Sequence, residues 1–109
     1  MASLRLRDQD RLDGASNFGV WTIRCLLILE EHGLKEFATT HIVVPTDPIM
    51  LHEYWKDDAK AMRIILDGVK DHIVPHLVEE DTAKKMWDAI NKLFQDKNMN
   101  QKNDPKREA

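Results

Sequence analysis

Three stretches of this sequence place apolar residues at helical spacing, and each is bounded by signals that start or stop a helix. In the first, Phe18, Trp21, Cys25, Ile28 and Leu29 recur with the 3.6-residue period, and Val20, Ile23 and Leu27 widen the stripe. Asn17 precedes it as a candidate N-cap. Gly33 follows it as a residue free to take positive φ, with Leu34 placed to fold back on the last turn. A helix apolar over most of its circumference is expected at the centre of a fold. The second stretch opens on Asp47-Pro48, an acidic N-cap followed by a first-turn proline. From there Leu51, Trp55, Ala59, Met62, Leu66 and Val69 form one face, until Gly68 ends or bends the helix. In the third, Asp81 or Thr82 caps a helix whose Ala83, Met86, Trp87, Ile90, Leu93 and Phe94 share a stripe.

The segments between are less regular. Residues 35–46 carry β-branched side chains and Pro45, which predict an extended connection. Residues 69–78 offer Ile73 and Leu77 to a core, but Pro75 limits them to one short helix. The expectation is an all-α fold of three main helices plus one short helix in a single domain, as suits 109 residues. The domain is expected over 14–96, between a flexible N-terminal tail at 1–13 and a disordered, basic-leaning tail at 97–109. Trp21, Trp55 and Trp87 each fall on a helical apolar face and are expected in the core.

Little in the sequence points to catalysis. Cys25 is the single cysteine, so the chain holds no internal disulfide or cysteine-based zinc site, and its place on the apolar stripe suits a buried small hydrophobe. His72 and His76 have a spacing that can share a metal on a helix, but Pro75 lies between them and no third ligand follows. Glu30-Glu31 and Glu79-Glu80-Asp81 read as a helix end and a helix start rather than as paired catalytic acids. No glycine-rich phosphate loop or nucleophile elbow is present. The expected catalytic, cofactor and metal sites are therefore none. No apolar run is long enough to span a bilayer, no secretory h-region opens the chain, and a cytoplasmic location is expected, with a size that also permits nuclear entry.

The run LDGASNFGVWTIRCLLILEEHGL, with Leu12, Asp13, Gly14, Asn17, Phe18 and Trp21, resembles the opening of plant copia-type retrotransposon Gag polyproteins. The block YWKDDAKAMRIILDGVKDHIVPHLVEEDTAKKMWDAINKLFQDKN is similar to the second conserved block of that family. Its final helix carries Thr82, Ala83, Trp87, Ile90 and Phe94. The resemblance covers about residues 11–100 and makes Trp21, Trp55 and Trp87 its core positions. It implies a helical fold like the N-terminal lobe of a capsid protein and a role in building a protein shell around RNA. A full Gag continues into further helices and a zinc knuckle, so the expectation here is a truncated Gag-like chain, either a fragment or a host-retained form; Met-Ala-Ser mildly favours the latter.

Truncation leads to an expectation about partners. The last helix would lack its usual neighbours, leaving Met86, Ile90, Leu93 and Phe94 as an interface for homo-oligomerisation or for another Gag-like or host protein. The alternative reading is a domesticated regulatory or adaptor protein, for instance a dominant-negative interactor using the same helical surface.

Formal net charge is −3. Residues 1–13 sum to zero and 97–109 to +2, which leaves −5 for 14–96. An acidic body repels phosphate, so the chain is expected to bind RNA weakly or not at all. In a salt-titrated binding assay at physiological ionic strength the dissociation constant should exceed about 1 μM, with a shallow salt dependence. Sub-micromolar binding would contradict this.

Overall fold

The computed structural model describes residues 6–94. Among them, α1 (Ala15–Glu31), α2 (Lys35–Thr39) and α3 (Pro48–Asp67) precede α4, helical from 83 to 94 where the described residues end. Short 3-10 turns lie at Asp8–Asp10 and Val74–His76. The fold is all-α, as the periodicity predicts.

The α1 boundaries follow from local chemistry. Gly14 is the N-cap, and Asn17 sits three residues into the helix rather than before it. The Asn17 Oδ1 accepts the backbone N–H groups of Asp13 (3.0 Å) and Gly14 (3.2 Å), and its Nδ2 donates to the Arg11 carbonyl (2.9 Å). The asparagine thus closes the helix start from inside the first turn. At the other end Gly33 takes φ +73°, Gly33 N–H donates to Glu30 O (3.0 Å) and Leu34 N–H to Leu29 O (2.7 Å). This is a Schellman closure, and buried Leu34 folds back as expected.

That turn delivers the chain into α2, where an extended connection was expected. Five residues have little intrinsic helicity. The helix persists because buried Ala38 packs into the core and Phe37 stacks near Tyr54 of α3 at 5.8 Å. Similarly, 69–78 holds only the turn Val74–His76, which still buries Ile73 and Leu77.

Residues 8–13 are not a tail. Leu12 is fully buried and pairs with Val69 in a parallel bridge, through Leu12 N–H to Gly68 O (2.8 Å) and Lys70 N–H to Leu12 O (2.9 Å). The Arg11 guanidinium donates to the carbonyl of Asp67 (3.0 Å), which the end of α3 leaves without a helical partner, and to that of Val69 (2.8 Å) just beyond the helix. The alternating charges read as a solvated tail are in fact paired: Arg24 meets Asp10 at 2.7 Å, Lys70 meets Asp8 at 3.3 Å, and Arg11 meets Asp8 at 3.0 Å. The expected tail at 97–109 lies outside the described residues.

The core gathers on one side of α1. Phe18, Trp21, Cys25 and Leu29 point inward, where Trp21 stacks on Trp87 (5.4 Å) and Phe18 meets Phe94 (5.5 Å). Trp21 also donates its indole N–H to the Gly68 carbonyl at 2.7 Å. Gly68 permits this approach, since a Cβ there would stand 3.3 Å from the indole nitrogen.

Trp55 departs from expectation and is 48% exposed. The buried row of α3 is Asp58, Ala61 and Ile65, about one residue's rotation from the row containing Trp55. Asp58 explains the rotation: it is only 2% exposed, and its Oδ1 accepts the Ala83 N–H at the start of α4 (3.1 Å). A charged residue in the inward row hid the true phase.

The two tryptophans should therefore behave differently. Trp21→Ala should destabilise the chain by about 3–5 kcal/mol, and Trp55→Ala by about 1 kcal/mol or less. Urea denaturation followed by far-UV circular dichroism measures both; equal losses would place Trp55 back in the core.

Candidate assembly surface

The residues expected to form an interface are mostly inside the chain. Met86, Ile90 and Phe94 are buried and Leu93 is half-buried. Their stripe is covered because α1 presents Phe18 and Trp21 to it, at the ring contacts described above. A four-element fold suffices to bury α4, so the argument that truncation leaves it open fails.

The uncovered apolar surface lies on α1 instead. Val20 (56% exposed), Ile23 (63%) and Leu27 (56%) project from the side of the helix opposite Phe18, Trp21, Cys25 and Leu29. The helix is central in sequence pattern but buried on one face only. The spacing 20, 23, 27 makes a continuous outward stripe, roughly 10 Å long at 1.5 Å rise per residue. Exposed Ser16 and Gly19 extend it toward the N-terminus, and exposed Glu30 and Glu31 end it. Those two carboxylates sit at the negative end of the helix dipole, and α1 has no basic residue in its last turn.

A second partly open row runs along α3. Leu51 and Met62 are half-buried and Trp55 and Ala59 exposed, so the face legible in the sequence exists but lies at the edge of the core. Beyond it, one position further round the helix, exposed His52, Lys56, Lys60 and Arg63 form a basic row. Arg63 reaches Asp67 only at 4.0 Å. Among the described residues Lys56 and Lys60 form no ion pair.

Other groups are accounted for structurally. Burial pushes the Cys25 thiol up to about 12, so it is a packed hydrophobe rather than a nucleophile. His72 Nε2 lies 2.8 Å from the Asp13 carbonyl, and no group of three or more His, Cys, Asp or Glu among the described residues is placed to hold a metal. A cleft of about 160 Å³ opens between Phe37, Tyr54, Asp58 and the start of α4. Its buried carboxylate is already engaged: Thr82 Oγ1 accepts Lys85 N–H (3.1 Å) while Asp58 accepts Ala83 N–H, so two donors at the start of α4 are satisfied from two elements. No helix among the described residues is long and apolar enough to cross a membrane.

Comparison with known proteins gives a consistent picture. The family described as gag-polypeptide of LTR copia-type matches residues 26–107. A retrovirus-related Pol polyprotein from transposon TNT 1-94 of Nicotiana tabacum is 27% identical over 93 residues, covering 84% of this chain. The chain spans about 7% of that polyprotein's length. No solved structure matches.

The carboxylates titrate in opposite directions. Desolvation, opposed by the Ala83 hydrogen bond and aided by Asp81, raises the Asp58 carboxyl above its ordinary 3.8. At Asp8 the hydrogen bond from Arg11, then that from Lys70, lowers it. At Asp10 partial desolvation works upward, but the hydrogen bonds of Arg7 and Arg24 outweigh it and the net shift is downward. The folded chain therefore holds the Asp58 proton more tightly than the unfolded chain, and that contribution to stability is lost as pH rises from 3.8 through the raised value. The Asp8 and Asp10 contributions are present above 3.8 and lost as pH falls through their lowered values. Asp58→Asn keeps an acceptor for Ala83 and removes the charge, so at neutral pH it should change stability by less than about 1 kcal/mol, whereas Asp58→Ala should cost about 1–2 kcal/mol. Urea midpoints from neutral pH down to about the ordinary 3.8 should show the wild type gaining on Asp58→Asn as pH falls; parallel profiles would contradict the assignment.

Proposed function

This chain belongs to the copia-type LTR gag-polypeptide family, and on that premise we propose that it is a non-enzymatic structural subunit that works by binding further copies of itself. The observation that carries this reading is the outward stripe Val20, Ile23 and Leu27 on a helix whose opposite face organises the core. A contiguous apolar patch facing water often marks an interaction site on a folded chain. Three side chains of this size, more than half exposed, offer roughly 300 Å² of apolar area, or about 7 kcal/mol gross at 25 cal/mol per Å². Association entropy and side-chain ordering remove much of that. A single contact in the range of tens to hundreds of micromolar is the expected result, weak enough to be reversible and strong enough to build an assembly when repeated.

Sedimentation equilibrium over a concentration series reaching about 1 mM, above the expected range, tests this. The wild type should show an average mass rising with concentration. Ile23→Asp combined with Leu27→Asp should give a folded monomer, because neither side chain supports the core. A wild-type monomer throughout that series would sink self-assembly and leave the stripe to an unrelated protein, as in the adaptor reading.

A further inference from the structure

We infer that self-association is head-to-tail: the α1 stripe of one copy docks on the Leu51, Trp55, Ala59 row of α3 of the next, with Glu30 and Glu31 facing its basic row. This rests on the self-assembly reading above and specifies which two faces meet.

The two faces are unlike and complementary. The α1 stripe is apolar and closes on an acidic pair; the α3 row is apolar and is flanked on its solvent side by His52, Lys56, Lys60 and Arg63. Pairing them places two carboxylates, poorly situated at their own helix C-terminus, beside Lys56 and Lys60, which form no ion pair among the described residues. Within α1 itself the one cation is Arg24, which is already held by Asp10 at 2.7 Å, so a pairing of two α1 helices offers Glu30 and Glu31 no free cation from that helix. It also leaves the exposed Trp55 uncovered in every copy. The area argument agrees. A stable interface buries about 800 Å² per partner, more than the three α1 side chains can supply, whereas the indole of Trp55 and the stems of Lys56 and Lys60 add large surfaces. Each chain carries one copy of each face, so the contact is heterologous. It generates a ring where the rotation closes and a filament where it does not.

Blocking one face at a time reads out the pairing. One variant carries Ile23→Asp and Leu27→Asp; the other carries Trp55→Asp and Ala59→Asp. All four positions are solvent-exposed, and thermal melts by circular dichroism establish that both variants fold. In sedimentation velocity each variant alone should be monomeric. An equimolar mixture should form a 1:1 heterodimer and nothing larger, because each partner contributes the face the other lacks. Raising salt should weaken that heterodimer severalfold, in line with the charge pairing. A Trp55→Asp, Ala59→Asp chain that still dimerises by itself would overturn the head-to-tail pairing in favour of an α1–α1 contact. A mixture that stays monomeric while the wild type associates would overturn the choice of faces. A wild type that stays monomeric defeats the self-assembly reading itself.

Discussion

The carbonyl of Gly68 joins the three parts of this fold. Gly68 is the C-cap of α3, and its carbonyl accepts the indole N–H of Trp21 at 2.7 Å and the backbone N–H of Leu12 at 2.8 Å. Both lone pairs are used, and both donors come from elements distant in sequence. The first acceptance fixes the rotation of α1 about its own axis, because the indole can reach the carbonyl from one face only. The second draws in the N-terminal segment, which Arg11 then secures to the neighbouring carbonyls. A Cβ at 68 would stand 3.3 Å from the indole nitrogen and 3.4 Å from Ile64 O, so any larger residue there requires the indole to give by a few tenths of an ångström.

Fixing the rotation of α1 has a consequence on its far side. Once Phe18, Trp21, Cys25 and Leu29 face α4 and the end of α3, the 3.6-residue period leaves Val20, Ile23 and Leu27 facing water. The same logic runs through α3. Asp58 must reach the start of α4, and this turns Ala61 and Ile65 inward and carries Trp55 to the rim. Two interior polar contacts thus decide where two exterior apolar rows lie. The exposed apolar rows of α1 and α3 are a by-product of how the interior hydrogen bonds are satisfied.

Much of the fold was legible in the sequence: α1, α3 and α4, the Asp47 and Thr82 caps, and the Gly33 turn follow from periodicity and capping chemistry. What was not legible has physical reasons. Apolar residues cover α1 nearly all round, so its pattern does not separate the core face from an exposed one. In α3 the tidier apolar row reads as the inward one, because a carboxylate in the true inward row looks like a solvent position until its partner, a backbone N–H 25 residues away, is known. The short helix α2 and the Leu12–Val69 bridge exist through tertiary contacts that no local pattern encodes. The α4 stripe expected to stay open is covered, and the open apolar rows lie on α1 and α3, for a related reason: coverage is a property of the packed chain, and no local pattern shows which faces are already occupied.

The central claim is that the outward rows of α1 and α3, and not the α4 stripe, meet in association. Methyl-detected NMR of the chain across a range of concentrations tests it most directly. Val20, Ile23, Leu27, Leu51 and Met62 methyl signals should shift together as concentration rises, while Ile65, Ile73 and Ile90, sealed in the core, stay fixed. Concentration-dependent shifts centred on Met86, Ile90 and Leu93, with the α1 methyls unmoved, would contradict it.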